Sequence, residues 1–242
     1  MLMAVSFDVW NTLLNIEAVY RKLAEIIAEI ISKDPLTIER IIYDKYIKVK
    51  KSRLNNNTIE VHKFVISSRN LLAKALDIDY DQLVEAIDLA FSSIIEAPYM
   101  SSEVSKILYS DVIPTLNSLK AIDIMMGVIG NNVLWESMYT RRVLKVLGLD
   151  KYFKTQVYSD EVGVFKPDRR IFFEFCRRIG VDVSKVIHVG DSVAEDVGGA
   201  LSAGMKAMYV DRSRKERSVI VELGLFLANS LENVMEALQR LG

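Results

Sequence analysis

The hydrophobic positions along this chain follow two different periods. Residues 2–7 read "LMAVSF", a short apolar and partly β-branched run that is typical of a buried parallel strand. From Ile16 to Ile107, in contrast, apolar residues recur at spacings of three and four, which is the pattern of amphipathic helices. The pattern therefore predicts one strand that is followed at once by a long helical insertion.

Strand and helix patterns alternate through the rest of the chain. The runs "PTLNSLKAI", "RRVLKVLGLDKYF" and "KPDRRIFFEFCRRIG" predict helices, and "DIMMGVIGNN", "TQVYS", "KVIHVGDS" and "KAMYVD" predict strands. Because alternating strands and helices fold into a parallel sheet with helices on both faces, this order predicts a Rossmann-like, doubly wound α/β core. We expect residues 1–15 and 108–242 to form this core and residues 16–107 to form a separate all-helical domain.

Composition and charge exclude several classes of function. The 242 residues carry a formal net charge of -1, which gives no general attraction to nucleic acid or to an anionic membrane. No apolar run approaches the roughly 18 residues that a bilayer span requires, and the N-terminus has no basic region ahead of its apolar segment. We therefore expect a cytoplasmic protein that binds neither nucleic acid nor membranes. The single cysteine, Cys176, lies at a helical apolar position and is expected to be a buried structural thiol.

Polar residues gather where the predicted strands end. In an open parallel sheet, ligands bind at the carboxyl edge of the strands, because loops and helix N-termini meet there. Each of these residues also has a local explanation, since an aspartate can cap a helix and a lysine ahead of a helix can simply be solvated. The residues that this edge would bring together are Asp8, Gly130, Asn131, Lys166, Asp191 and Asp196.

The four segments that hold these residues resemble the motifs of a known superfamily. In chain order, "FDVWNTL", "VIGNN", "GVFKPDRRIFF" and "HVGDSVAEDVGGALSAGM" resemble the four successive motifs of the haloacid dehalogenase superfamily. The resemblance covers both parts of the predicted core. The helical insertion matches, by its position, members whose cap domain follows the first strand. The resemblance implies a hydrolase whose helical cap domain closes over the substrate and excludes water.

The resemblance also implies roles for individual residues. Asp8 matches the nucleophile, and Thr12 matches the residue whose hydroxyl steadies the nucleophile's loop. Lys166 matches the lysine that neutralises the nucleophile and the reacting phosphoryl oxygens. Gly130 stands where the superfamily usually has Ser or Thr, so its backbone N–H and Asn131 are expected to bind the phosphoryl group instead.

A magnesium site follows from the same resemblance. Asp191 matches the carboxylate that holds Mg²⁺ together with Asp8 and the main-chain carbonyl of Trp10. Asp196 is expected to orient the lysine or a metal-bound water from behind these ligands. Since Mg²⁺ prefers a few carboxylates, carbonyl oxygens and waters, we expect Mg²⁺ as the cofactor and a small phosphorylated molecule as the substrate.

Trp10 departs from the phosphatase pattern. Phosphatases of the superfamily usually carry a second aspartate two residues after the nucleophile, which protonates the leaving oxygen. The indole N–H of Trp10 cannot do this, and losing such assistance costs on the order of 10² to 10⁴ in rate for a poor leaving group. Haloacid dehalogenases also lack this acid and often have an aromatic residue there, so a 2-haloacid dehalogenase is one alternative. A weakly active or non-catalytic binding protein is another.

Charge favours phosphate chemistry over haloacid chemistry. Asp8, Asp191 and Asp196 with Lys166 carry two net negative charges, which would repel an anionic haloacid but can be balanced by one Mg²⁺. Dehalogenases of the superfamily typically replace the glycine and aspartate of the fourth motif, whereas "GDS" keeps them in this chain.

Three other polar features receive no catalytic role from the sequence. His188 precedes the fourth motif inside an apolar strand, so its side chain is expected in the core. His62 follows the polar and apolar rhythm of a predicted helix. The basic run "DRSRKERS" at 211–218 contains acids and follows a strand, so it is expected to be a solvated turn.

Overall fold

A computed structural model describes residues 1–54, 60–96 and 106–242 of the chain. The predicted helical insertion is therefore described except at residues 55–59 and 97–105.

The described chain divides into two compact units, and the chain passes between them four times. The second unit contains residues 132–147, which the sequence analysis placed in the core. The first unit is Met1–Leu14, Leu108–Asn131 and Gly148–Gly242, and the second is Asn15–Ile107 and Asn132–Leu147.

The first unit is built on a seven-stranded sheet, as the alternation of strand and helix patterns predicts. Along the sheet the strand order is β3-β2-β1-β4-β5-β7-β6. All neighbouring strands pair in parallel except β6 and β7, which are antiparallel. The strands are β1 (Ala4–Phe7), β2 (Met125–Gly130), β3 (Thr155–Tyr158), β4 (Val186–Gly190), β5 (Lys206–Val210), β6 (Ser218–Ile220) and β7 (Leu225–Ala228).

The register of the neighbouring strands β2, β1 and β4 places their ends side by side. β1 lies between β2 and β4, and Phe7 is opposite Val128 on one side and Val189 on the other. Every residue of β1 and β4 is buried, as expected for strands covered on both faces. The residues that follow β1, β2 and β4 therefore meet at one edge of the sheet.

The helices agree with the predicted segments to within a few residues at most ends. The helix predicted in "RRVLKVLGLDKYF" closes at Gly148, as the sequence predicts, where Gly148 adopts a φ of +66°, and Asp150–Tyr152 forms a separate turn. The helices are α1 (Ile16–Ile31), α2 (Pro35–Leu54), α3 (Val61–Leu76), α4 (Tyr80–Glu96), α5 (Val112–Ala121), α6 (Ser137–Val146), α7 (Ser159–Val162), α8 (Arg169–Ile179), α9 (Gly199–Ala203) and α10 (Val234–Leu241). A π-helical turn, Val193–Gly198, precedes α9.

The core of the first unit lies against α8. This helix is capped by the Asp168 side chain, which accepts the Arg170 N–H at 2.9 Å, and it ends at Gly180. Its apolar face, including Phe172 and Phe175, is fully buried among the strands. Cys176 lies on the same face and is buried, as predicted, and burial raises the pKa of its thiol to about 11.

The second unit is a helical assembly that takes in α6 for a specific reason. Tyr139 on α6 packs its ring 4.8 Å from that of Phe91 on α4, and Trp135 packs 5.0 Å from the same ring. The buried Arg69 on α3 donates to the Leu134 carbonyl at 2.7 Å and to the Glu136 carboxylate at 2.6 Å. Aromatic packing and a buried arginine thus hold this segment to the helices, a feature that short-range periodicity does not encode.

Candidate active site

A buried lysine lies at the centre of the polar residues at the sheet edge. The side chain of Lys166 is 1% exposed, and its Nζ donates to Asp8 Oδ1 at 2.6 Å and to Asp196 Oδ1 at 2.7 Å. Its third donor reaches the Ile129 carbonyl at 2.7 Å. Because an ammonium group has three donors, this side chain is fully satisfied and rigidly held.

Charge pairing keeps this lysine protonated despite its burial. Burial by itself lowers the pKa of Lys166, but the charges of Asp196 and Asp8 outweigh it and raise that pKa well above the ordinary value. Burial likewise acts to raise the pKa of Asp196, whereas Lys166 and a hydrogen bond from His188 bring it below the usual range. The lysine and Asp196 therefore form an ion pair at neutral pH.

Asp196 packs directly on the backbone at the end of β4. Its Oδ2 accepts the Ser192 N–H at 2.9 Å. A Cβ placed on Gly190 would lie 2.2 Å from Cγ and 2.3 Å from Oδ2 of Asp196. Only glycine leaves room for the carboxylate at this position, which gives the glycine of "GDS" a steric reason.

Three carboxylates converge beside the lysine. One oxygen from each of Asp8, Asp191 and Asp196 lies within 4.8 Å of the other two. Asp8 follows β1 and Asp191 follows β4, so the pairing of these two strands creates the cluster. Oxygen donors at this spacing, with two net negative charges after Lys166 is counted, fit a hard divalent cation such as Mg²⁺.

Asn131 holds the segment that carries the lysine. Its Oδ1 accepts the Lys166 N–H at 2.8 Å, and its Nδ2 donates to the Lys166 carbonyl at 3.1 Å. The same Nδ2 donates to Glu195 Oε2 at 3.3 Å. The carboxamide is thus used to position Lys166, a different task from the phosphoryl contact that the sequence predicts for Asn131. The sequence analysis did not identify the buried Glu195 as part of this site, because the residues beside it in the chain do not indicate its contact with Asn131.

A tyrosine explains the glycine in the second motif. A Cβ on Gly130 would lie 2.8 Å from two ring carbons of Tyr158, the last residue of β3. Tyr158 is fully buried and its hydroxyl donates to the Gln156 side chain. The Ser or Thr that the superfamily usually has at this position would therefore clash with the neighbouring strand.

Backbone hydrogen bonds shape the loop after Asp8. The N–H groups of Leu13 and Leu14 both donate to the Val9 carbonyl, at 2.8 and 2.9 Å. The backbones of Trp10 and Leu14 form an isolated β-bridge. Thr12 Oγ1 is buried and has no hydrogen-bond partner among the described residues, and the role of this hydroxyl stays a prediction.

Arg212 supports the same loop from outside. It donates to the Asn11 carbonyl at 3.2 Å and to the Thr12 carbonyl at 2.9 Å. It also pairs with Asp111 at 2.9 Å and stacks over the Tyr109 ring. The sequence analysis expected a solvated turn at 211–218, and at Arg212 this was wrong, because the long-range partners of an arginine leave no local pattern.

Comparison with known proteins decides the family. A sequence model of haloacid dehalogenase-like hydrolases matches residues 2–204. The chain belongs to this family. A protein named glyceraldehyde 3-phosphate phosphatase, from Methanopyrus kandleri, is 35% identical over 109 residues, or 44% of each chain. The chain thus spans about half the length of the curated relatives that it matches.

Solved structures of haloacid dehalogenase-like proteins share the whole fold. A HAD phosphatase from Thermococcus onnurineus matches with a TM-score of 0.62 at 23% identity and covers 98% of both chains. L-2-haloacid dehalogenase from Xanthobacter autotrophicus matches with a TM-score of 0.72 at 18% identity and covers 100% of both chains. Since the solved structures that share this fold include both a phosphatase and a haloacid dehalogenase, the fold by itself does not distinguish these two activities.

Proposed function

We propose that this haloacid dehalogenase-like hydrolase is a Mg²⁺-dependent phosphatase that hydrolyses a small phosphomonoester through a phosphoaspartate at Asp8. The observation that carries the proposal is the carboxylate cluster around Lys166, in which Asp8, Asp191 and Asp196 lie within 4.8 Å of one another. A cluster with two net negative charges favours a divalent cation and disfavours a bare anionic substrate. The phosphatase names of several curated relatives support the same reaction.

The proposed reaction has two displacement steps at phosphorus. A carboxylate oxygen of Asp8 attacks the phosphorus atom, the bond to the ester oxygen breaks, and its electron pair leaves with that oxygen, which takes a proton from water. Water then attacks the phosphorus of the phosphoaspartate, which releases phosphate and restores the Asp8 carboxylate. Lys166, held 2.6 Å from Asp8, offsets the negative charge on the reacting oxygens in both steps.

The cation would be held by Asp8, Asp191 and the main-chain carbonyl of Trp10, with Asp196 behind them. This donor set contains only oxygen atoms, as Mg²⁺ requires. When bound, the ion supplies charge compensation for the carboxylates and polarises the phosphoryl oxygens. Backbone N–H groups at Gly130 and Asn131 and the buried Thr12 hydroxyl are the proposed contacts of the phosphoryl group.

We further propose that residues 1–15 and 108–242 supply the catalytic chemistry and that residues 16–107 act as the cap domain that selects the substrate. The relatives' names make glyceraldehyde 3-phosphate a reasonable first physiological candidate.

A 2-haloacid dehalogenase is the second candidate function. One observation favours it, since Trp10 occupies the place of the proton donor and displacement of halide needs none. The three clustered carboxylates oppose it, because they would repel the carboxylate of the haloacid.

Hydrolysis of para-nitrophenyl phosphate tests the proposal, because this leaving group needs little protonation. We expect turnover with Mg²⁺, none with EDTA, and a loss of at least about 10³-fold in Asp8→Asn, since the amide removes the nucleophile. Asp123→Asn, the same change at an exposed turn of the same unit, is the matched control and should retain the wild-type rate. Equal rates in Asp8→Asn and wild type would refute the proposal. Release of halide from 2-haloacids without phosphatase turnover would instead establish the second candidate.

A further inference from the structure

The sequence gave His188 no role beyond core packing, yet the structure gives it two polar contacts. Its side chain is fully buried within β4, and the centre of its ring lies 5.2 Å from the centre of the Phe172 ring, with the two rings nearly perpendicular. Its Nδ1 lies 2.9 Å from Ser6 Oγ, and its Nε2 lies 3.2 Å from Asp196 Oδ1. A buried imidazole with both nitrogens engaged is part of a polar network and not only of the apolar core.

The chemistry of the two partners defines which nitrogen carries the proton. The carboxylate of Asp196 is ionised and can only accept, so Nε2 of His188 must be the donor. Burial lowers the pKa of His188 and keeps the ring neutral, which leaves Nδ1 as an acceptor. The Ser6 hydroxyl, which can donate or accept, then donates to Nδ1 and completes the hydrogen bonding of the Nε2–H tautomer that Asp196 selects.

Strand pairing makes this contact possible. Ser6 and His188 are opposite residues in the parallel pairing of β1 with β4. They stand two residues before Asp8 and three before Asp191, so the same two strands that hold the carboxylates also hold the network.

The network ends on the oxygen that holds Lys166. Asp196 Oδ1 accepts from both Lys166 Nζ, at 2.7 Å, and His188 Nε2, while Oδ2 accepts the Ser192 N–H. Two donors on one oxygen and one on the other fix both the place and the rotation of the carboxylate. Removing the imidazole leaves Oδ1 held by the lysine alone.

We infer that His188, oriented by Ser6, is a positioning residue that fixes Asp196 and, through it, the Lys166 ammonium against the Asp8 nucleophile. Its effect on turnover rests on the proposed function, whereas its hydrogen bond to Asp196 does not. The imidazole takes no part in the reaction itself, because it touches neither Asp8 nor a position for the substrate.

Nitrogen NMR tests the hydrogen bond without any assay of activity. The chain has two histidines, and His62 is exposed, so uniform ¹⁵N-histidine labelling gives one buried ring and one internal reference. We expect His188 as the neutral Nε2–H tautomer in wild type and, because Asp196 still accepts from Nε2, the same tautomer with a shifted Nδ1 resonance in Ser6→Ala. A wild-type His188 with its proton on Nδ1 would overturn the inference, whether or not the protein is a phosphatase.

Two substitutions at His188 then test its effect on turnover of para-nitrophenyl phosphate. His188→Leu keeps the core apolar but deletes the donor, and we expect kcat to fall about 10-fold with KM within about 2-fold. His188→Gln offers an amide N–H in place of Nε2, and we expect it to recover most of the lost rate. Equal loss in both folded variants, or no loss in His188→Leu, would show a packing role only. No turnover in wild type would instead refute the proposed function and leave the tautomer to decide the hydrogen bond.

Discussion

At the scale of single residues, Trp10 departs from the pattern that is usual in phosphatases of the superfamily. It stands two positions after Asp8, the proposed nucleophile, where an acid would protonate the leaving oxygen, and an indole has no proton to give at neutral pH. The proposed reaction should therefore depend steeply on how well the leaving group departs without help.

Trp10→Asp should supply the missing acid. We expect its kcat for glyceraldehyde 3-phosphate, whose leaving alkoxide is poor, to rise by at least about 10-fold, while hydrolysis of para-nitrophenyl phosphate changes little. Trp10→Asn is the control of similar size without an acid. The ratio of the two rates in each variant is the measurement, and equal ratios in the two variants would contradict the role assigned to this position.

Gly190 makes a second prediction at the residue scale. In Gly190→Ala the new Cβ would lie 2.2–2.5 Å from the Asp196 side chain, so the carboxylate must move. We expect the free energy of unfolding to fall by about 1–3 kcal/mol and kcat to fall with it. Gly198→Ala, where the nearest atom is 3.4 Å away, should be tolerated. Urea denaturation of the three proteins checks the first effect, and a Gly190→Ala protein as stable as Gly198→Ala would count against it.

At the scale of elements, Arg69 holds the segment before α6 in the helical unit. Arg69→Met removes the donors to the Leu134 carbonyl and the Glu136 carboxylate and leaves a buried acceptor without its partner. We expect the free energy of unfolding to fall by about 2 kcal/mol. Arg69→Lys, which keeps the charge but not the forked donors, should recover only part of this loss. Full recovery would mean that charge, and not geometry, holds the segment.

An element could be predicted from the sequence when a local pattern of apolar residues defines it. β1, β2, β4 and β5 were predicted from their apolar runs, and Asp8 and Asp191 were placed at their ends by the general rule for parallel sheets. β6, β7 and α10 were not predicted. A three-residue edge strand such as β6 has no usable period, whereas the apolar spacing of α10 is that of a helix and could have been recognised.

The same distinction applies to the candidate site. The motif residues could be named from the sequence, but the contacts of Asn131 and Arg212 could not. These side chains are bound by residues 35 and 200 positions away, and no local pattern reports such partners. His188 was correctly placed in an apolar strand, but its polar partners are set by the register of β1 against β4.

At the scale of the whole molecule, the chain is nearly neutral while its candidate site is strongly charged. A formal net charge of -1 contrasts with three carboxylates clustered around one buried ammonium. The proposed function therefore requires that an anionic substrate be selected locally, through Lys166 and a bound cation, and not through a general field. Among the described residues, no helix has the length and apolar character to cross a membrane.

The central claim is that the phosphoryl group is transferred to Asp8 before it is released, and trapping this phosphoaspartate tests the claim most directly. Wild-type protein is mixed with Mg²⁺ and para-nitrophenyl phosphate and quenched in acid during turnover. The protein is then digested, and the mass of the peptide that contains Asp8 is measured by mass spectrometry. We predict one added phosphoryl group on this peptide, sensitive to hydroxylamine as an acyl phosphate must be, and absent from Asp8→Asn. Continued turnover with no phosphoryl group on Asp8, or with that group on another residue, would contradict the account.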